Sequence, residues 1–428
     1  MHLPLSVRTL VNGNLTFILA LAIAMLAMSN RDTIGADDFR KIKLQGTPPQ
    51  VEPMTGLVLW STNENVSIAP IQLEFEYIAY SDVILGEKSY DFSVIDRKLE
   101  AIASRKHQAI LRFYDTYVGK ESGVPKYIRD MPGYNGVTAR SEGKRTGFPD
   151  WSHPAWQACV LDFFEAFGNR YDRDARIAYL QVGFGLWSEY HIYDGPMKLG
   201  KTFPSKEYQT TFLIHLSKCF QETQWMISVD AADSERTPIE GSTELKALRF
   251  GLFDDSLNHK KHAEENEPNW RILGLDRWKR SPTGGEFSFF EKSDQSKALS
   301  PSGPHGVSCE AQVAKFHVSF VIGDDQPRFQ KPERLRSAGM SMGYRFRVQN
   351  IETNGKLVRG EVENVGVAPI YYDAYPSWNG KDSEQSLRGL LPGERIKFEI
   401  ASSEQTGSLA ITCKRLVNGQ TIGFEVDQ

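Results

Sequence analysis

The sequence lacks the motifs of several common functional modules. It has four cysteines, none of them in a C-x-x-C pair, and it has no H-E-x-x-H helix. No G-x-G-x-x-G turn follows the first predicted strand. These absences argue against a disulfide scaffold, a structural zinc module and a dinucleotide-binding domain.

A basic excess and a long apolar span are also lacking. The 50 basic residues are outnumbered by 54 acidic ones, so we expect no nucleic-acid partner. The apolar run over residues 15–28 is shorter than the ~20 residues of a membrane-spanning helix, and small residues follow it. We predict a signal peptide over residues 1–29 and a secreted or periplasmic protein without stable membrane insertion after cleavage. An uncleaved anchor and a buried helix are the alternatives.

Short β-rich runs alternate with helical periodicity over residues 55–334. The predicted helices cover residues 92–104, 154–171 and 208–221, and apolar residues recur in them every three or four positions. Eight strands with intervening helices predict the α/β fold class and a closed (β/α)8 TIM barrel, with a doubly wound sheet as the alternative. The predicted strands cover residues 56–60, 73–80, 108–114, 177–184, 225–230, 250–255, 283–288 and 316–322.

After residue 334 the sequence pattern changes to short segments of alternating apolar and polar residues, typical of strands, separated by turns such as Asn354-Gly355 and Pro392-Gly393. This pattern predicts a small all-β sandwich domain over residues 335–428, with either a structural or a carbohydrate-contacting role. Residues 30–54 show no apolar periodicity and are predicted to be a leader or linker. The predicted sandwich strands cover residues 344–349, 356–364, 370–375, 395–400, 408–413 and 421–426.

Two glutamates follow or end predicted barrel strands, where barrel enzymes place their reactive groups. Glu189 stands between aromatic residues in the segment after the fourth strand, and Glu286 follows two glycines in the seventh. Paired carboxylates flanking an aromatic cleft are what cleavage of a glycosidic bond requires. We predict that these two residues are catalytic, with a surface acid as the alternative for each.

Further polar and aromatic residues lie near strand ends and are candidates for contacts with sugar hydroxyls or rings, although salt bridges, caps and core packing explain such residues equally well. We expect no cofactor and no metal; the alternative is a cation held by Glu189 and His191 with Asp230 or Asp255. The predicted substrate-binding residues are Trp60, Tyr80, Arg112, Tyr114, Trp187, His191, Asp230, Asp255 and His317, and Asp115, Asp233 and Asp254 are further candidates of the same kind.

The order of these segments resembles a family of bacterial secreted proteins, a domain family of unknown function. The similar segments include Y-L-Q-V-G-F-G-L-W-S-E-Y-H, G-L-F-D-D-S, T-G-G-E and, in the sandwich, M-G-Y-R-F and E-N-V-G-V-A-P. The resemblance covers about residues 55–428 and implies a glycoside-hydrolase-like barrel with a carboxyl-terminal β-sandwich. It implies Glu189 as acid/base and Glu286 as nucleophile of a retaining hydrolase. Ser188 stands where such hydrolases usually have asparagine.

The sequence thus predicts a glycoside hydrolase that acts on a poly- or oligosaccharide by a retaining mechanism. The alternatives are a non-catalytic carbohydrate-binding protein on a degenerate barrel and an envelope-associated interaction protein. The hydrolase prediction requires both carboxyl groups to meet in one pocket. It also requires that neither is held by an arginine away from solvent.

Overall fold

The structure, a computed structural model, describes residues 39–404 and 406–427, apart from the side chains of residues 261–263 and 265. The predicted signal peptide lies outside the described residues. Within the described part of the chain, no helix has both the length and the apolar character needed to cross a membrane.

Eight parallel strands form a closed barrel in which the first strand pairs with both the second and the eighth. The predicted fold class, a (β/α)8 TIM barrel, is therefore confirmed. Because the strands are parallel, all their carboxyl ends open on one face, where barrel enzymes carry their sites. In chain order the barrel strands are Gly56–Trp60, Leu73–Ala79, Gln108–Tyr114, Ile177–Gln181, Gln224–Ser228, Gly251–Leu257, Thr283–Phe287 and Phe320–Ile322.

The helices around the barrel bury the faces that the sequence periodicity indicated. Ile95, Leu99 and Ile102 form the buried face of the first long helix. The helix Pro154–Tyr171 has its predicted bounds because proline fits its first turn. The α-helices of five or more residues are Ser93–Ser104, Pro154–Tyr171, Lys206–Cys219, Thr243–Ala247, Lys260–Leu273, Cys309–Phe316 and Pro332–Met340. Shorter helical turns are Tyr80–Val83, Lys126–Arg129, Val229–Ala232, Arg277–Lys279, Asp294–Lys297 and Gln326–Phe329.

The eighth strand begins later than predicted. Residues 309–316 form a helix, and His317 ends it in the left-handed conformation with φ 53°. The His317 ring stacks on Trp278 at 3.5 Å, and its Nδ1 lies 2.6 Å from the carbonyl oxygen of Val367 in the β-domain. The prediction of His317 within the eighth strand is therefore wrong. The residue precedes the strand, at the end of the barrel opposite the carboxyl ends, and cannot contact a ligand bound there.

Two antiparallel sheets follow the barrel, as the sequence predicted for an all-β domain. The larger sheet contains Phe346–Thr353, Leu357–Asn364 and Arg395–Ala401, and Phe424–Val426 adds to it in parallel. The smaller sheet contains Ala374–Trp378, Lys381–Asp382 and Leu409–Cys413. Two further hairpins, Ile84–Gly86 with Ser89–Tyr90 and Val137–Ser141 with Lys144–Phe148, lie in the segments after the second and third barrel strands.

The described part of the predicted leader belongs to the β-domain. Arg40–Lys41 pairs with the edge of the larger sheet, and Thr47 exchanges hydrogen bonds with Phe424. Val51 and Met54 are buried. The sequence did not indicate this strand, because an edge strand of two exposed residues shows no alternation of apolar and polar positions.

The β-domain packs against the amino-terminal end of the barrel. The Tyr372 hydroxyl donates to the carbonyl oxygen of Ala178 and accepts from the backbone NH of Gln224, at the starts of the fourth and fifth strands. The guanidinium of Arg415 donates to the carbonyl oxygen of Ile177 at 2.8 Å. The β-domain therefore lies at the opposite end from the carboxyl ends of the strands, and its contacts with the barrel are structural.

Candidate active site

A row of three side chains crosses the barrel interior near the carboxyl ends of the strands. Tyr77, Arg112 and Gln181 are register partners on the second, third and fourth strands. The Arg112 guanidinium donates to the Tyr77 hydroxyl at 2.7 Å and, through Nε, to Gln181 Oε1 at 2.8 Å. Arg112 is 1% exposed, so a full positive charge is held inside the barrel.

Glu189 is paired with this buried arginine. Arg112 Nη1 donates to Glu189 Oε1, and the Tyr77 hydroxyl lies 3.5 Å from the same oxygen. Glu189 is 5% exposed. A guanidinium that donates to a carboxylate stabilises its charged form. By the requirement set out from the sequence, this contact counts against a hydrolase. Arg112 engages Oε1 of Glu189, however, and Oε2 lies 3.8 Å from His191 Nε2, so one oxygen remains for a reacting group.

The loop that carries Glu189 has an uncommon backbone. Trp187, Ser188 and Tyr190 have positive φ angles of 51°, 61° and 66°. Such conformations cost of order 1–3 kcal/mol each for a residue with a side chain, and they persist only where neighbouring groups enforce them. Here the buried Ser188 hydroxyl donates to the carbonyl oxygen of Phe113 at 2.7 Å, which fastens the loop to the third strand. Ser188 thus anchors the loop.

Glu286, near the end of the seventh strand, shares this environment. Burial raises its pKa to about 8, and the nearby charge of Glu189 adds to the rise while Arg112 opposes it. Asp324, just past the eighth strand, contributes a further, smaller rise to this pKa. The two predicted catalytic glutamates therefore lie in one electrostatic neighbourhood, in which burial and repulsion favour a proton on Glu286.

His191 links Glu189 to two further acids. Its Nδ1 lies 2.7 Å from Asp230 Oδ2, and its Nε2 lies 3.8 Å from Glu189 Oε2. Asp255 Oδ2 is 3.9 Å from Nδ1. Burial, followed by repulsion from Asp230, raises the pKa of Asp255 well above its ordinary value. The structure thus brings together five of the predicted site residues around the barrel mouth: Arg112, Glu189, His191, Asp230 and Asp255.

Aromatic side chains line one side of this cluster. Trp187 stacks on Tyr193 with centroids 6.1 Å apart and meets Tyr117 edge-on at 6.3 Å. Tyr114 lies 5.2 Å from Tyr117. Tyr193 is 59% exposed, so this wall is open to solvent. Trp60 stands on the other side of Tyr77 at 5.6 Å. Flat apolar faces of this kind are suited to stacking on a sugar ring.

Besides His317, four of the candidate residues lie outside this cluster. The Tyr80 ring is buried between Phe113 and Trp156 on the helix side of the barrel wall, so the prediction that it contacts substrate is wrong. Of the other three, Asp254 and Asp233 serve local structure. Asp254 accepts from Asn266 on the outer helix, Asp233 pairs with Arg236, and Asp115 is buried with a pKa that burial raises to about 7.

Several cluster residues escaped the sequence-based prediction: Tyr77, Tyr117, Gln181, Tyr193 and Asp324. Tyr77 and Gln181 lie inside strands, and only the register with Arg112 shows that they reach the mouth. Asp324 could have been predicted from the sequence, because it lies two residues after the eighth strand. Its Oδ1 accepts a hydrogen bond from the backbone NH of Trp60.

Two groups of side chains place potential metal ligands within 4.8 Å of one another. One is Glu189, His191 and Asp255 at the barrel mouth, and the other is His259, Asp294 and His305. A cavity of about 410 Å³ adjoins the second group and not the two glutamates. We assign the candidate active site to the glutamates, because a carboxyl group with a strongly raised pKa next to a second charged group marks a candidate functional site.

No protein-family model matches this chain, and no curated protein does either. Among solved structures, the chain is similar to endo-glycoceramidase II from Rhodococcus sp., with 9% identity, a TM-score of 0.41, and coverage of 83% of this chain and 100% of that one. An endo-1,4-beta-xylanase from Caldicellulosiruptor owensensis shows 12% identity, a TM-score of 0.39 and coverage of 64% and 87%.

The galactosidase domain of an alpha-galactosidase-sucrose kinase shows 10% identity and a TM-score of 0.38. That match covers 82% of this chain, which spans 54% of the length of that protein. The names of all three proteins are those of glycoside-cleaving enzymes or domains. Similarities this distant do not identify the activity of this chain, which has to be inferred from the barrel and its side chains.

Proposed function

We propose that the protein is a glycoside hydrolase that cleaves a poly- or oligosaccharide through Glu189 and Glu286. One observation carries the proposal: two carboxyl groups share a buried neighbourhood in which an arginine holds one and burial favours a proton on the other. Cleavage of a glycosidic bond needs such a pair, one group charged and one protonated. The aromatic wall supplies the sugar platform.

The electrostatics favour roles opposite to those that the family resemblance implies. The bond from Arg112 stabilises the charged form of Glu189, which suits a nucleophile, whereas Glu286 with a pKa of about 8 suits a general acid. In the first step Glu189 forms a bond to the anomeric carbon, the glycosidic bond breaks, and Glu286 gives its proton to the leaving oxygen. In the second step Glu286 takes a proton from water, which displaces Glu189 with net retention.

The backbone around Glu189 supports a functional rather than a structural role. Three strained residues, Trp187, Ser188 and Tyr190, surround it, and strain of this kind concentrates at sites that need a fixed geometry. His191 is oriented by Asp230 and lies next to the free oxygen of Glu189. We assign His191 and Asp230 to positioning of that carboxylate and of sugar hydroxyls.

The second candidate function is sugar binding without catalysis. The same arginine contact favours it, since Glu189 is 5% exposed and its Oε1 is already engaged. A binder would use the wall of Trp187, Tyr117 and Tyr193 and would not depend on the protonation state of Glu286.

The test uses the variants Glu189→Ala and Glu286→Ala with Asp233→Asn as a matched control. Asp233 also follows a strand, and among the described residues its carboxylate pairs with the neighbouring Arg236 and Glu235 NH. Each is assayed against a panel of aryl glycosides, with and without azide. We expect both alanine variants to lose at least 10³-fold in kcat and the control to keep its activity. If Glu189 is the nucleophile, azide attacks the anomeric carbon in Glu189→Ala from the side that the carboxylate has vacated and gives a glycosyl azide of inverted configuration.

Azide with Glu286→Ala should give the retained configuration, because the glycosyl-enzyme bond to Glu189 still forms. The reverse pattern would restore the roles implied by the family resemblance. Absence of turnover in the wild type, with glycan affinity that survives both substitutions, would reject the hydrolase and leave the binder.

Export is a separate proposal. We propose that residues 1–29 are a signal peptide and that the mature protein is secreted or periplasmic, on the strength of the apolar run at residues 15–28. Sequencing the amino terminus of protein recovered from a bacterial periplasm or culture medium tests it. A mature chain that begins near residue 30 is expected, and an intact terminus in the membrane fraction would indicate an anchor.

A further inference from the structure

A second polar cluster lies between the segments that follow the sixth and seventh barrel strands. His259 comes directly after the sixth strand, Asp294 begins a short helix after the seventh, and His305 lies in the loop beyond it. His259 and Asp294 are each 1% exposed. The two imidazole rings have their centroids 4.5 Å apart, with the carboxylate next to both.

The spacing of the potential ligand atoms is close to that of a metal site. His305 Nε2 lies 3.1 Å from Asp294 Oδ1, and His259 Nε2 lies 3.9 Å from Asp294 Oδ2, beyond hydrogen-bond range. The ligand atoms of all three residues lie within 4.8 Å of one another. Ligands placed about 2.0–2.2 Å from a tetrahedral zinc ion are separated by about 3.3–3.6 Å, so small side-chain shifts would close the site.

The surroundings of Asp294 resemble the outer shell of a metal site. Its Oδ2 accepts from the Ser288 hydroxyl at 2.8 Å and from the backbone NH of Glu291 at 3.0 Å, which fixes the carboxylate. Oriented carboxylates of this kind are typical of metal centres. Glu291 Oε1 lies 3.7 Å from His259 Nε2 and offers a further oxygen. Among the described residues, the ion pairs of Asp294 involve imidazoles and no lysine or arginine.

Both histidines also line the cavity of about 410 Å³. Three protein ligands beside an open cavity are the arrangement of zinc sites that keep a position for water or a small ligand. The charged residues of the cavity wall are Lys260, Glu264, Glu267, Arg271 and Lys315.

We propose that His259, Asp294 and His305 bind a divalent transition-metal ion of the zinc class whose fourth position faces this cavity. Two imidazoles favour zinc over magnesium or calcium, which prefer oxygen ligands. The ion would tie the segment after the sixth strand to the one after the seventh. This site goes beyond the proposed hydrolysis and does not depend on it.

The test is a titration of untagged, chelator-treated protein with Zn²⁺ by calorimetry, together with Co²⁺ as a spectroscopic probe. We expect one equivalent of Zn²⁺ to bind, visible Co²⁺ bands of a site with fewer than six ligands, and a higher unfolding temperature with metal. His305→Ala and Asp294→Asn should each weaken Zn²⁺ binding at least tenfold, and Ser288→Ala by about tenfold as a positioning residue. His153→Ala is the matched control. The His153 ring is partly exposed, and among the described residues its one hydrogen-bond contact is with a backbone carbonyl oxygen.

Circular dichroism shows whether each variant is folded, and His305→Ala is the safer variant because the side chain of His305 is 16% exposed. Zn²⁺ binding that persists in His305→Ala and Asp294→Asn would overturn the proposal. Loss of Zn²⁺ binding in His191→Ala would indicate that the ion binds at the barrel mouth instead. A wild-type protein that binds no Zn²⁺ would overturn it outright. None of these readouts uses glycan hydrolysis, so they stand apart from the proposed function.

Discussion

Replacing the buried Arg112 tests whether Glu189 is held as a charged group. Arg112→Met keeps an unbranched apolar stem but removes the donors to Tyr77, Gln181 and Glu189 and the contact of the guanidinium with the Phe253 ring at 4.5 Å. Removing one partner of a buried ion pair costs about 3–5 kcal/mol, because the other charge stays buried without compensation. At roughly 2–3 °C per kcal/mol for a barrel of this size, the unfolding temperature should fall by about 6–15 °C.

The control is a double-mutant cycle with Glu189→Gln, measured by calorimetry and urea unfolding at pH 7. Because glutamine carries no charge to be stranded, Arg112→Met should cost less in the Glu189→Gln background, with a coupling free energy of about 2 kcal/mol or more. Strictly additive losses would refute the reasoning, since they would mean that Arg112 acts by packing and through Gln181.

Four other predictions concern stability and pH. Burial raises the pKa of Glu286 from 4.5 to about 8, so between these pH values the folded state holds a proton that the unfolded state releases. The free energy of unfolding should therefore fall by about 2–4 kcal/mol as pH rises from 4.5 through 8. Glu286→Gln should remove this pH dependence in urea titrations. If Glu286 is the general acid, kcat/KM should fall above about pH 8. Gly284→Ala should destabilise by about 1–3 kcal/mol or more in thermal unfolding, because its Cβ would lie 2.2 Å from the Phe320 ring; an unchanged midpoint would show that the ring can move. Arg415→Ala should lower the free energy of unfolding by about 2–3 kcal/mol, because it leaves the carbonyl oxygen of Ile177 without its donor at the contact between barrel and β-domain. Equal stability in urea would show that water takes the place of the guanidinium.

The arrangement of domains limits what the β-domain can do. Its contacts lie at the amino-terminal end of the barrel, where Tyr372 and Arg415 bond to the starts of strands. The glutamate pair lies at the other end. Of the two roles that the sequence left open, the structural one has direct support, and a substrate held at the barrel mouth would not reach the sheets.

The sequence by itself determined the order and kind of elements. The bounds of Gly56–Trp60, Gln108–Tyr114 and Pro154–Tyr171 were predicted to the residue, because a continuous apolar run or a proline-started amphipathic face records local burial. It also placed Glu189 and Glu286 at the same end of a parallel barrel, since topology alone fixes that end.

Tertiary structure decided everything that depends on which side of the barrel wall a residue faces and on what meets it there. Tyr80 turns into the helix layer, and His317 ends a helix by adopting a left-handed conformation that no periodicity reveals. The pairing of Arg112 with Glu189 joins residues on different β/α units, and only the register of the third and fourth strands brings them together. Charge, burial and neighbours set which of two carboxyl groups keeps its proton, and these are properties of the packed molecule rather than of either glutamate in the chain.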